Sequence, residues 1–363
     1  MMKLLALLFA IAVSASPATF DDLAARAKAA REANHASEAI ELYQQALKLK
    51  PAWQEGWWFL GTLSYDADQY KTGARAFAEF VKLEDKAAAG WAFLGLCEFE
   101  IGEYQNSLDH SRRALAIGGD LDPSVDNVLR FHEALLLTKL GLFDQATSKL
   151  IPFVRKGVRD PTLTAGIGLN ALREPLLPAE VPPAEMPRIN AAGNAAYLWM
   201  AGNINETQPA FRALVETFPT GPGIHYLYAT FLITFRPAEE AVAELRRELE
   251  VNPHSADARA MIALLMVRAG LAPAAEPLAQ QAAVDGPNSP MAQYTLGLIL
   301  MQSGDLPHAI DRLESAERLD PANVEYHMGL AAAYSKAGRH DDAMRERKTS
   351  IQIAKQGDPR AAR

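Results

Sequence analysis

The sequence contains one cysteine, Cys97, so it has no internal disulfide and no cysteine-based metal cluster. This residue lies in the apolar run WAFLGLCEF, where a buried thiol that acts as a small hydrophobic side chain is expected. Cationic side chains are also in the minority, with 36 Lys and Arg against 44 Asp and Glu and a net charge of -8. Since no run of Lys or Arg forms a basic stripe, binding of nucleic acid is not expected.

Signatures of catalytic sites are missing as well. His132 and Glu133 lack the second His, four residues on, of a zinc-binding helix. The segment GIGLN is not followed by the Lys-Ser or Lys-Thr pair of a phosphate-binding loop, and no serine lies in a GxSxG turn. We therefore predict a protein that is not an enzyme and uses no cofactor or metal ion. An active site built from dispersed residues of a groove is the alternative.

A long apolar run is absent except at the start, MMKLLALLFAIAVSASPA. Lys3, an apolar run from Leu4 to Val13 and the small residues up to Ala18 have the order of a cleavable secretory signal. The apolar run is about half as long as a helix that crosses a bilayer, so an uncleaved anchor is the alternative. We expect residues 1–18 to be a signal peptide and the mature chain to be periplasmic or secreted, without an integral membrane span.

The C-terminal third of the chain repeats itself every 34 residues. The recurring residues are Pro253, Pro287 and Pro321; Gly270, Gly304 and Gly338; and Ala241, Ala275, Ala309 and Ala343. A glycine can end a first helix in a left-handed cap, an alanine lets a second helix cross closely, and a proline starts the next connection. Because the runs YTLGLILM and AIDRLESAERL have helical periodicity, each period is predicted to be a helical hairpin.

The N-terminal segments EGWWFLGTLSYDADQYKTGARAFAEF and AGWAFLGLCEFEIGEYQNSLDHSRRAL keep the same period. Trp57 and Trp91 are 34 residues apart, and so are Gly61 and Gly95. This order of small, aromatic and Pro positions resembles the tetratricopeptide repeat (TPR) family, whose unit is a helix–turn–helix of about 34 residues. In this frame, units begin near residues 20, 54, 88, 127, 188, 222, 256, 290 and 324. The resemblance implies an all-α fold, a right-handed superhelical solenoid of about nine TPR-type helical hairpins.

The repeat frame is interrupted between the fourth and fifth units by PTLTAGIGLNALREPLLPAEVPPAEMP. We predict an N-terminal TPR array of about four repeats over residues 19–156, a Pro-rich insertion over 157–187, a C-terminal array of about five repeats over 188–356, and a disordered tail over 357–363. The insertion starts with a segment that suits a short helix, but its prolines exclude a longer one. It is either a structural strap between two half-solenoids or a lid over a binding site.

Stacked hairpins of this family have a concave groove lined mainly by the first helix of each unit. The candidate groove residues are Trp58, Phe59, Tyr65, Phe93, Phe99, Phe131, His132, Trp199, Tyr226 and Tyr294. Since a few buried aromatic anchors supply most of the energy of peptide binding, this stripe predicts binding of a peptide or helix. Each of these side chains has the alternative of packing inside the superhelix. The carboxylate clamp of the family uses Lys and Asn at slots that here hold Trp58, Thr62, Ala92 and Leu96, which argues against acidic chaperone tails as partners.

The function predicted from the sequence is therefore an exported scaffold that binds a protein or peptide partner, of unknown oligomeric state. One alternative is a structural component of an envelope or secretion complex that assembles through its convex face or its ends. Another is an accessory subunit of an enzyme.

Overall fold

The fold consists of helices throughout the part of the chain that can be described. In a computed structural model, residues 18–119 and 121–357 form nineteen α-helices and one short 3-10 helix, with no β-strand among these residues. The predicted all-α class is confirmed. The predicted signal peptide, apart from its last residue, and nearly all of the predicted tail lie outside the described residues.

The chain divides into two compact units, residues 1–129 (the N-terminal unit) and 130–363 (the C-terminal unit). The helices of the N-terminal unit are α1 (Phe20–Glu32), α2 (Ala36–Leu49), α3 (Gln54–Asp66), α4 (Tyr70–Leu83), α5 (Ala88–Glu100), α6 (Tyr104–Ile117) and the first part of α7 (Pro123–Lys139). The first helices α1, α3 and α5 begin at the predicted residues 20, 54 and 88.

The C-terminal unit holds the end of α7, twelve further α-helices and the 3-10 helix. They are α8 (Phe143–Arg155), α9 (Pro161–Ala171), a 3-10 helix (Pro178–Glu180), α10 (Met186–Met200), α11 (Ile204–Thr217), α12 (Ile224–Phe235), α13 (Ala238–Val251), α14 (Ala256–Arg268), α15 (Ala272–Asp285), α16 (Pro290–Ser303), α17 (Leu306–Leu319), α18 (Val324–Lys336) and α19 (His340–Gly357). The predicted repeat starts coincide with α10, α12, α14, α16 and α18 to within a few residues. The predicted insertion contains α9, the 3-10 helix and the first residues of α10, and the short helix suggested for its first part corresponds to α9.

Small residues inside the first helices admit a large side chain from the second helix. A Cβ built on Gly61 would lie 2.7 Å from the ring of Phe77, and one on Gly297 would lie 2.7 Å from Leu313. Phe77 and Leu313 are fully buried, so each pair closes the interior of one hairpin. The small positions of the 34-residue pattern are therefore the points of closest helix crossing.

A second recurring feature ties each connection to the helix that follows it. In six repeats, a side chain in the first turn of the first helix donates a hydrogen bond to the carbonyl oxygen six residues earlier. The pairs are Trp57–Pro51, Trp91–Asp85, His225–Pro219, Arg259–Pro253, Gln293–Pro287 and His327–Pro321. Each contact gives a carbonyl group of the connection a donor on the next helix, and so fixes the angle at which that helix begins.

The inserted helix α9 packs against α10 at backbone distance. A Cβ on Gly168 would lie 2.1 Å from the carbonyl oxygen of Ile189, and a Cβ on Gly193 would lie 2.1 Å from that of Thr164. Only hydrogen fits at these two positions, because the neighbouring atoms belong to the backbone and cannot rotate away. Helix α9 is thus a built-in part of the C-terminal unit.

Candidate functional site

Three of the candidate groove residues of the N-terminal unit form one aromatic cluster. The Phe93 ring lies 5.8 Å from Trp58, 5.5 Å from Tyr65 and 5.4 Å from the fully buried Phe77, measured between ring centroids. Trp58, Tyr65 and Phe93 are half-buried, so part of each ring belongs to the packing between hairpins. Removing these side chains would affect the fold as well as any surface they provide.

Two further candidates of the N-terminal unit lie outside this cluster. Phe59 packs 5.9 Å from Tyr43, and the Arg31 guanidinium lies 3.4 Å from the Phe59 ring centroid, a cation–π contact. Phe99 lies 6.2 Å from Tyr104. Both candidates are half-buried and each is engaged by a neighbouring side chain.

Three candidates of the C-terminal unit also have neighbours in the interior. Phe131 packs edge-on against Phe153 at 5.8 Å, and Tyr294 lies 5.0 Å from the buried Tyr326. His132 is largely desolvated, which lowers its pKa to about 4 and leaves the imidazole neutral at pH 7. These side chains line no cavity described below.

The remaining two candidates, Trp199 and Tyr226, line one cavity of about 400 Å³, called the apolar cavity below. Its apolar walls are Ile151, Ala171, Ala196, Trp199, Met200, Leu227, Met261 and Met291, with Tyr226 at one side. Most of these residues come from the first helices α10, α12, α14 and α16. Its polar groups are Asp144, Thr147, Asn170, Arg173 and Thr230.

A second, larger cavity of about 730 Å³, called the polar chamber below, adjoins the first. It is formed by the connections that lead into α8, α12, α14, α16 and α18 and by the segment after α9. The two cavities share Asp144, Arg173 and Tyr226. Gln145, at one side of the chamber, donates a hydrogen bond of 3.4 Å to the carbonyl oxygen of Leu319. The C-terminal unit therefore closes on itself around the chamber.

Arg173 is the charged group at the boundary between the cavities. Its guanidinium lies 2.8 Å from the Asp144 carboxylate and 3.7 Å from that of Asp257, and donates a 3.2 Å hydrogen bond to the Tyr226 hydroxyl. Burial opposes ionisation, but the nearby Asp144 and the other partners raise the pKa of Arg173 further, so it stays charged. Its backbone is left-handed, with φ of 59°, which costs a residue with a Cβ about 1–2 kcal/mol. One strained residue thus joins three repeats.

Other carboxylates of the chamber have their own partners. Glu248 is fully buried and accepts hydrogen bonds from the backbone N–H groups of Gly223 (2.8 Å) and Tyr226 (3.3 Å), at the start of α12. Burial raises the pKa of Glu248 in spite of these bonds. Asp285 pairs with Arg259. The chamber is therefore lined by groups with fixed positions.

The polar half of this site was not predicted from the sequence. Arg173, Asp144 and Asp257 lie 29 and 84 residues apart along the chain, and none of them falls in an aromatic slot. The only local signal was the concentration of Asp residues near the starts of helices in the C-terminal unit, such as Asp144, Asp257 and Asp320. Such residues are common at helix starts for reasons of capping and charge, so the signal by itself does not indicate a site.

Neither a membrane-spanning helix nor a metal site is found in the part of the chain that the structure describes. Within residues 18–119 and 121–357, no helix combines the length and the apolar character needed to span a bilayer. In the same residues, no group of three or more His, Cys, Asp and Glu side chains has the arrangement of a metal site.

Solved structures of similar fold include the MamA fragment from residue 41 onward of Desulfovibrio magneticus RS-1 (18% identity, TM-score 0.37), matched over 47% of this chain and 97% of that one. The Cut9–Hcn1 hetero-tetramer of the APC/C matches over 93% of this chain and 87% of the other (11% identity, TM-score 0.44). YrrB, described as a TPR protein with an unusual peptide-binding site, matches over 48% and 89% (18% identity, TM-score 0.34). No curated protein sequence matches significantly.

Family models match in both units of the chain. A tetratricopeptide repeat model matches residues 60–124, from α3 to the start of α7, and a TPR repeat model matches residues 297–338, from α16 to the end of α18. Both matches lie in segments where the structure has helical hairpins at the 34-residue period. The chain contains tetratricopeptide repeats in both of its units.

Proposed function

We propose that the C-terminal unit binds a peptide segment of a partner protein and holds one apolar side chain of that segment in the apolar cavity. TPR proteins mediate protein–protein interactions and are generally not enzymes, which supports a binding role. The observation that carries the proposal is the cavity of about 400 Å³ on the first helices, with three methionines and Trp199 in its walls. Methionine-lined surfaces adapt to different apolar side chains, and pockets of this size hold a single anchor.

The walls of the apolar cavity are themselves well supported. Trp199 packs edge-on against Phe211 at 6.1 Å and against Phe231 at 5.9 Å, and both phenylalanines are buried. Tyr226 is held by Arg173 through its hydroxyl. A rigid pocket loses little conformational entropy on binding, so most of the energy of a buried anchor is available for affinity.

The substitution Met261→Trp tests this proposal, because the larger side chain takes up part of the cavity without leaving a void. Peptides with a central Leu, Met or Phe are selected from a random library on the immobilised protein, and their affinities are measured by fluorescence anisotropy. We expect Met261→Trp to weaken binding at least tenfold, the loss of about 1.4 kcal/mol or more that exclusion of one anchor produces.

Met328→Trp is the matched control for that experiment. Met328 also lies on a first helix, α18, but it is 48% exposed and lies outside the cavity walls. Its variant should bind the peptides as the wild type does. The proposal is wrong if the library yields no binder, or if both tryptophan variants weaken binding equally while circular dichroism shows intact helices.

We also propose that the protein acts outside the cytoplasm. The support is the order of Lys3, the apolar run and the small residues before Thr19 in the sequence. In a host that exports the chain, the intact mass should correspond to a mature protein that begins at Ser16 or Thr19. A full-length mass, or recovery with the cytoplasmic fraction, would contradict export.

A further inference from the structure

The polar chamber has an excess of acidic groups. Six carboxylates line it: Asp144, Glu174, Glu248, Asp257, Asp285 and Asp320. The cationic groups that neutralise them are Arg173, which serves both Asp144 and Asp257, and two arginines that reach in from outside, Arg188 to Glu174 and Arg259 to Asp285. His254, in the chamber lining, also lies 3.5 Å from Asp285 and adds positive charge only when it is protonated. Lys139 at the rim is bound to Glu180. Once these pairs are formed, the chamber keeps a surplus of negative charge.

One buried carboxylate of the chamber has capacity to accept more hydrogen bonds than it does. Asp320 lines the chamber, is 4% exposed and, among the described residues, forms no ion pair. The backbone N–H of Ala322 approaches it at 3.4 Å, and the Asn323 side chain donates a hydrogen bond to it. A buried carboxylate that has only neutral donors suits a cationic donor.

Burial of Asp320 has a consequence for its charge. Burial raises the pKa of Asp320 most and the Asp144 carboxylate adds to this, whereas the hydrogen bonds from Ala322 and Asn323 and the charge of Arg173 act to lower it. A further cation beside Asp320 would stabilise its charged form. The chamber therefore selects for positive charge and against the acidic peptide ends that other TPR grooves bind.

The chamber is continuous with the apolar cavity at Asp144, Arg173 and Tyr226, which border both spaces. An extended peptide advances by about 3.3 Å per residue. Residues that are neighbours in one peptide can therefore reach both spaces at once. A peptide with an apolar and a cationic side chain close together can place one of them in each space.

We propose that the partner segment carries a Lys or Arg within a residue or two of its apolar anchor, and that this basic side chain enters the polar chamber and pairs with Asp320. This inference rests on the proposed function of the apolar cavity and adds the charge of the partner to it. The apolar anchor supplies affinity, and the basic side chain determines which apolar segments are accepted.

The experiment uses acetylated, amidated heptapeptides labelled with fluorescein. Each has a central Leu next to Lys, and in matched peptides the Lys is replaced by norleucine, which keeps the stem and removes the charge, or by Glu. With the full mature protein at low salt, we expect the Lys peptide to bind about tenfold more tightly than the norleucine peptide, as is typical for one charge-assisted hydrogen bond. The Glu peptide should bind more weakly still, and added salt should reduce only the Lys advantage.

The protein variant Asp320→Asn then locates the effect. It should lower the affinity for the Lys peptide to that for norleucine and leave norleucine binding unchanged. The control is Asp311→Asn, at an exposed residue of α17, the helix that ends just before Asp320. It should change neither of the two affinities. If Met261→Trp abolishes binding but Asp320→Asn leaves the Lys preference intact, the basic-residue inference is overturned and the apolar site stands. If no peptide binds the wild type, the proposed function fails first.

Discussion

The substitution Arg173→Ala is expected to lower the free energy of unfolding of the C-terminal unit by about 3 kcal/mol, since it removes the cation from a buried pair and leaves the carboxylates uncompensated. Asp257 is 19% and Asp144 34% exposed at the side chain, so the cost should lie at the lower end for such pairs. The Tyr226 hydroxyl would lose its partner as well. Arg173→Lys should cost less, because an ammonium keeps the charge but cannot reach three partners in a fork.

Hydrogen exchange measured by mass spectrometry reports the loss of local stability in each helix that Arg173 contacts. Faster exchange is expected in the starts of α8, α12 and α14, which Arg173 joins through Asp144, Tyr226 and Asp257. The matched control is Arg236→Ala. Arg236 pairs with Glu240 at 3.5 Å on the surface, a contact worth at most a few tenths of a kcal/mol. Equal effects of the two alanine variants would show that Arg173 does not join the repeats.

The stability of the C-terminal unit is expected to fall as the pH is raised from below 6.5 into the alkaline range. His225 contacts the Glu244 carboxylate at 2.7 Å through Nδ1 and the Pro219 carbonyl at 2.9 Å through Nε2. His327 makes the same contacts with Glu346 (2.7 Å) and Pro321 (3.0 Å). Both acceptors need a donor, and only the imidazolium donates from both nitrogens.

The direction of the effect follows from the pKa values. The hydrogen bond to Glu244 raises the pKa of His225 above its ordinary value of 6.5. For His327, burial acts to lower the pKa, but the bonds to Pro321 and Glu346 outweigh it and the pKa is raised. A raised pKa in the folded state means that the stabilisation is complete below pH 6.5 and is lost as the pH rises through the folded value. Glu248 and Asp320, with raised carboxyl pKa values, act in the same direction but at lower pH.

The chain itself offers a variant without the titrating group. At the equivalent positions of another repeat, Gln293 donates to the Pro287 carbonyl and accepts a 3.0 Å hydrogen bond from Arg312. Replacing both histidine pairs by this one (His225→Gln with Glu244→Arg, and His327→Gln with Glu346→Arg) should preserve the fold and flatten the pH dependence. The measurement is urea unfolding between pH 5.5 and 8.5. An exposed control, His308→Gln, should keep the wild-type slope; a slope unchanged in the fourfold variant would refute the assignment.

The repeat architecture could be predicted from the sequence because its rules are local. Gly304 and Gly338 adopt positive φ in the turns where the 34-residue pattern placed helix ends. Gly61 and Gly297 lie where the two helices of a hairpin cross closely, as the same pattern predicted. In each case the residue type limits the backbone or the distance of approach within one hairpin, so the spacing alone is enough.

The sequence predicted which aromatic residues occupy the candidate groove positions, but it did not predict which of them border a cavity. Trp58 and Phe93 occupy the same kind of slot as Trp199 and Tyr226. The first two pack on Phe77 inside the N-terminal unit, whereas the second two border a cavity. The position in the repeat determines the direction in which a side chain points from its helix. The distance from that side chain to the next hairpin depends on how neighbouring hairpins are arranged.

By itself, the sequence determined the helical hairpins, their number and period, and the candidates that could line a groove, because these depend on contacts between residues close in the chain. Only the tertiary structure decided that the C-terminal unit contains an apolar cavity next to an acidic chamber. That outcome depends on the close crossing of α9 and α10 at Gly168 and Gly193 and on the ion pairs of Arg173 with residues far away in sequence. Such contacts are set by the packing of whole repeats, for which no local pattern exists.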